Sequence, residues 1–162
     1  MKATLRLTAA AGLVLALGAL TACAPTVALT PSDDATNPEC AAVITRLPET
    51  AAELEIRETN AQGTAAWGSP ETSVILHCGV DVPDPTASLA CFTYKGIDWL
   101  RDPADDPRFA FITYGRDPAI RVIVDREDGV SGNAVLDDIA TAVSIIPAER
   151  NCISPLDVPS LP

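Results

Sequence analysis

The residue whose chemistry is plainest in this sequence is Cys23, at the end of Leu20-Thr21-Ala22-Cys23. An aliphatic residue three places before a cysteine, with small residues between, is the pattern that presents a thiol for diacylglyceryl transfer. Cleavage before Cys23 would then leave a lipid-bearing amino end. The other four of the five cysteines, Cys40, Cys78, Cys91 and Cys152, form an even set suited to disulfides in an oxidising compartment. No Cys-x-x-Cys pair occurs and His77 is the single histidine, which argues against zinc. Four cysteines allow three pairings. Chain order favours Cys78–Cys91, closing a short strand-loop-strand, and Cys40–Cys152, joining the two ends of the domain.

A second group could bind a ligand. Trp67, Asp98, Trp99, Tyr114 and Arg116 fall at expected strand ends or loops. Tryptophan faces and an arginine fork suit a sugar or a carboxylate. The competing reading makes both tryptophans core fillers and gives Arg116 an internal ion pair. His77 precedes a cysteine on an expected strand and reads as a strand-face side chain. No Gly-x-Ser-x-Gly elbow is present. Asp125-Arg126-Glu127-Asp128-Gly129 lacks the ligand spacing of a calcium loop, with Leu136 where the closing glutamate would stand. No motif calls for a cofactor, and no pair among the many acids is singled out for acid–base work.

The elements that must carry these groups follow in order. Lys2 and Arg6 precede an uncharged apolar run from Leu7 to Leu20. At about 14 residues it is too short to span a bilayer and fits a secretory leader, giving residues 1–22 as a lipoprotein signal peptide. Residues 23–38, with Pro25, Pro31 and Pro38, read as a flexible tether, about 50 Å when stretched. Residues 39–162 form a single domain. Asn37 and Pro38 suit the start of a short helix carrying Val43, Ile44 and Leu47, which Pro48 ends. Residues 53–58 alternate, with Leu54 and Ile56 inward, as a half-solvated strand. Residues 66–70 read as a turn, and Ser73 to Val80 as a strand with Val74, Leu76 and Cys78 on one face.

Residues 91–94 and 97–100 form strands joined at Lys95-Gly96. Residues 109–114 and 120–124 form a hairpin. From Asn133 to Ile145, the stripe Val135, Leu136, Ile139, Ala142 and Val143 specifies a helix that Pro147 ends. The fold class is therefore α+β: a mostly antiparallel sheet with a short N-terminal and a C-terminal helix, stapled by disulfides.

The formal net charge of −11 becomes more negative once Lys2 and Arg6 leave with the leader. Such a chain repels nucleic acid and anionic lipid alike. The partners expected are the membrane, through the anchor at Cys23, and an envelope protein or wall glycan.

Ala66-Trp67-Gly68, Ile75-Leu76-His77-Cys78-Gly79-Val80, Gly96-Ile97-Asp98-Trp99 and Tyr114-Gly115-Arg116-Asp117-Pro118-Ala119 together resemble an actinobacterial family of exported proteins, the domain of unknown function 3515. His77 departs from that family's Arg-Cys-Gly, so no role carries over to that position. The resemblance implies an envelope lipoprotein of a Gram-positive cell with a mycolate or related wall. It brings no catalytic residues. Three functions follow as expectations. The first is a lipid-anchored binding or assembly module at the outer face of the cytoplasmic membrane, serving envelope biogenesis. The second is a wall hydrolase or transferase with an unidentified carboxylate pair, and the third an acidic spacer.

Overall fold

The computed structural model describes residues 25–68, 73–84, 89–126 and 129–153; Cys23 and the leader lie outside them. Helix α1, Pro38–Ile44, starts where Asn37 caps it, the Asn37 side chain accepting from the Glu39 amide at 3.0 Å. Eight strands follow: β1 (Thr50–Ala51), β2 (Leu54–Arg57), β3 (Thr64–Trp67), β4 (Val74–Val80), β5 (Cys91–Tyr94), β6 (Ile97–Asp102), β7 (Phe109–Thr113) and β8 (Ala119–Val124). Helix α2, Gly132–Val143, closes the order. The strands form one antiparallel sheet in the order β1-β2-β3-β4-β8-β7-β6-β5. The α+β class expected from periodicity is the class found.

Cross-strand register sorts the side chains onto two faces. Trp67, Val74, Val124 and Phe109 form one row, and Leu76, Val122, Phe111 and Arg101 the next. Both helices pack on this face. Val43 of α1 joins Val135, Leu136, Ile139, Ala142 and Val143 of α2 in one core with Trp67, Leu76, Trp99 and Val122. The second face carries Ile75 and His77 of β4, Arg121 and Ile123 of β8, and Ile112 of β7, all half-buried.

Four sequence expectations need correction. The disulfides are Cys40–Cys78 and Cys91–Cys152, not Cys78–Cys91 and Cys40–Cys152. The reason is the strand order. β4 pairs with β8, so β4 and β5 are four strand spacings apart, roughly 19 Å, far beyond a disulfide's reach. Second, Ala66 and Trp67 lie in a strand, not a turn. Every residue of β3 is buried, so it shows none of the alternation that marks a half-solvated strand. Third, Ile56 is not buried. It is 42% exposed although it stands opposite Trp67 of β3, because β2 lies one short strand from the sheet edge and only the two-residue β1 flanks it.

The fourth concerns the stretch read as a tether. From Pro25 onward it lies on the domain. Val27 bridges to Thr59, the Pro25 carbonyl accepts from Arg57 at 2.7 Å, and the Asp34 amide donates to the Gly79 carbonyl at 3.1 Å. Gly79 permits this approach: it holds φ +82°, and a Cβ there would stand 2.3 Å from the Asp34 carbonyl carbon. Backbone hydrogen bonds offset the missing periodicity.

Candidate functional site

Of the five residues expected to converge on a ligand, the structure groups three. Asp98 lies on β6, and Tyr114 and Arg116 follow β7 in the turn to β8. The Tyr114 amide donates to the Asp98 carbonyl at 2.8 Å. The Asp98 carboxylate accepts from Thr93 Oγ1 at 2.5 Å and from the Cys152 amide at 2.7 Å. Arg116 is 6% exposed and donates through Nη1 to the Ile146 carbonyl. Burial lowers the Arg116 pKa from its ordinary value, while the negative charge of Asp98 acts to raise it. The Arg150 guanidinium lies 5.7 Å from the centre of the Tyr114 ring. These groups hold residues 146–152 against the sheet.

The two tryptophans do not join them. Trp67 and Trp99 are each fully buried beneath the helices. They share a face but sit on β3 and β6, four strand spacings apart, on the order of 19 Å. The expected convergence of Trp67 and Trp99 with Arg116 is therefore corrected. In a chain with few aromatics, the largest side chains fill the widest gaps between helices and sheet.

A second cluster escaped the sequence reading. Arg121 stands opposite His77 across the β4–β8 ladder. Its Nη2 donates to Asp102 at 2.8 Å and to Asp105 at 2.5 Å. Asp102 caps a 3-10 turn, Pro103–Asp105, accepting from its Ala104 amide at 2.9 Å, and Asp105 is the last residue of that turn. Arg101 and Arg108 pair with Asp106 and Asp105 at 2.8 and 3.2 Å. The acidic loop is thus held from both sides of the sheet, by Arg121 on the open face and by Arg101 on the helix-covered face. A lone arginine inside the apolar run Ile120-Arg121-Val122-Ile123-Val124 was the available signal, since a charge in such a strand needs a partner. The acids Asp102 and Asp105 are brought together, but around one guanidinium, which suits a loop anchor better than acid–base exchange. Among the described residues no group of three or more histidine, cysteine or acidic side chains could hold a metal ion.

His77 is the titratable member of this face. Burial, and then the charge of Arg121, lower its pKa from 6.5. The folded state therefore resists a proton that the unfolded chain accepts. Stability is unaffected above the unfolded value and is lost as pH falls below about 6.5 toward the folded value. Because the chain has one histidine, this slope belongs to it. Urea midpoints are expected to fall between pH 7 and pH 5, and His77→Asn to flatten that fall. An Arg121→Gln substitution should raise the His77 titration midpoint followed by NMR. A wild-type slope unchanged in the histidine variant refutes the assignment.

The geometry can be set beside known proteins. Residues 5–151 match the family described as "Protein of unknown function (DUF3515)". The chain belongs to this family. No curated protein and no solved structure matches it. Membership in the DUF3515 family agrees with the resemblance in Trp67, His77–Val80, Asp98–Trp99 and Tyr114–Ala119. The family description carries no activity, so the roles of these residues rest on geometry. Gly79 receives the Asp34–Ala35 backbone and Gly115 that of Arg150, and Asp98 and Arg116 bind the second of these segments.

Proposed function

We propose that this protein is exported and held by a lipid on Cys23 at the outer face of the cytoplasmic membrane. There it serves as a binding or assembly module in envelope biogenesis, in an actinobacterial setting. The observation that carries the reading is that all four cysteines after Cys23 are consumed in two disulfides. Cytosolic thiols are kept reduced, so a fold that joins α1 to β4 and β5 to the C-terminal end through sulfur belongs in an oxidising compartment. That agrees with a basic start, a short apolar run and a lipid-attachment sequence in residues 1–23. Two acyl chains hold a protein stably, where one holds marginally. No described helix is long and apolar enough to cross a membrane.

The module's working surface is the open face of the sheet, where Ile75, Ile112 and Ile123 surround the His77–Arg121 pair. Half-buried isoleucines beside a guanidinium whose charge Asp102 and Asp105 already meet suit a partner that offers apolar groups and neutral hydrogen-bonding groups, such as an envelope protein or a wall glycan.

Fractionation of cells expressing Cys23→Ala is the test of the anchor. The variant is expected in the medium or the soluble fraction, with the wild type in the membrane fraction. Continued retention of the variant overturns the anchor. Crosslinking in intact envelopes is expected to recover a protein or a glycan fragment, and recovery of neither favours the acidic-spacer reading.

A further inference from the structure

The two disulfides occupy unlike places. Cys40 and Cys78 are each 0% exposed and lie in the core between α1 and β4. Cys91 is exposed at the start of β5, the last strand of the sheet, and Cys152 is half-buried in the segment after α2. That segment, residues 147–152, contributes no buried side chain. Among the described residues it is held, besides its sulfur, by hydrogen bonds and by the Arg150 guanidinium over the Tyr114 ring. The Glu149 amide donates to the Gly115 carbonyl at 2.7 Å, Ala148 bridges to Arg116, and the Cys152 amide donates to Asp98 at 2.7 Å. The backbone of Arg150 lies so close to Gly115 that a Cβ there would stand 1.9 Å from the Arg150 carbonyl oxygen.

We infer that Cys91–Cys152 is a reducible clasp, whose opening by a dithiol releases residues 147–152 while the domain stays folded around Cys40–Cys78. A thiolate of the dithiol attacks Cys91 Sγ, forms a mixed disulfide and expels Cys152 as a thiolate, which takes up a proton. The second thiol of the dithiol then attacks its own sulfur in that mixed disulfide, and Cys91 leaves as a thiol. The dithiol ends as its cyclic disulfide; two electrons pass to the protein, and its two cysteines end as thiols. Attack requires access, which Cys91 has and Cys40 and Cys78 lack. A surface segment without apolar burial sits at the low end of local stability, so loss of its sulfur tie lets it detach separately from the core. Detachment removes one of the two donors to the Asp98 carboxylate and uncovers the Arg116 side of the sheet's end. The clasp thus guards the buried Asp98 and Arg116 side chains that the folded, oxidised protein keeps covered. This inference stands on exposure and hydrogen bonding and holds whether or not Cys23 carries a lipid.

The test uses the full-length oxidised protein with graded dithiothreitol, iodoacetamide trapping and peptide mass spectrometry. Cys91 and Cys152 are expected to become alkylated at least about tenfold faster than Cys40 and Cys78. Hydrogen exchange of the Glu149 and Cys152 amides should quicken by about the same factor on reduction, with α2 and β4 unchanged. The double variant C91S/C152S should fold, retain Cys40–Cys78 and show the same fast exchange without any reductant. Equal alkylation rates for the two pairs overturn the inference. So does unchanged protection at Glu149 and Cys152, or failure of the double variant to fold.

Discussion

Replacing Cys40 and Cys78 together by alanine is expected to lower the unfolding free energy by about 4 kcal/mol, read from guanidinium melts followed by far-UV circular dichroism. The chain-entropy argument gives that figure for a loop whose ends are 38 residues apart. Domains of this size are stable by roughly 5–15 kcal/mol in all, so the loss is a large fraction of the total. Packing adds to it. α1 has seven residues, too few to persist without tertiary support, and it is fastened to the sheet by this bond and by Val43. The Asp34–Gly79 backbone bond lies beside the same junction, so residues 25–44 should loosen as a unit. Alanine is the informative replacement, because serine would place a hydroxyl where both cysteines have 0% exposure. Mass mapping must show Cys91–Cys152 intact in the variant. A midpoint unchanged from wild type would mean that burial alone holds α1 in place.

That disulfide also shows where sequence reasoning reached its limit. α2 was legible because its five apolar positions repeat at helical spacing and face one core. The β5–β6 hairpin was legible because Lys95 and Gly96 both adopt positive φ between two short runs of strand formers. The partner of β4 was not, since β8 begins 39 positions after the end of β4 and nothing local names it. Once β8 is inserted beside β4, every inference from chain proximity fails on that side of the sheet, and the Cys78–Cys91 expectation fails with it. β3 was missed for a different reason: burial on both faces erases alternation. Asp98 and Arg116 were singled out within a five-residue ligand group, and the fold sets both where residues 146–152 dock. Their use in holding the C-terminal segment could not be read, because Cys152 is 54 residues from Asp98 and meets it only through the fold.

Trp67→Ala is expected to cost about 3–5 kcal/mol, the usual loss on truncating a buried aromatic. Trp67 has 0% exposure, and its cavity would open between β3 and the helices that cover it. The finer test compares phenylalanine at the two tryptophans. Trp67 Nε1 donates to the Pro48 carbonyl at 3.2 Å, tying β3 to the connection between α1 and β1. Trp99 Nε1 is equally buried and has no hydrogen-bond partner among the described residues. Phenylalanine at 67 removes a made bond and strands the Pro48 oxygen, adding about 1 kcal/mol to the loss of packing. At 99 the same change deletes a donor that burial had already deprived of water, and this gain offsets part of the lost volume. Trp67→Phe should therefore unfold at lower denaturant than Trp99→Phe, although the two side chains are buried alike. The reverse order would show that the indole of Trp99 has a polar partner in solution. It would reopen the possibility that this end of the sheet, beside Asp98 and Arg116, receives a ligand.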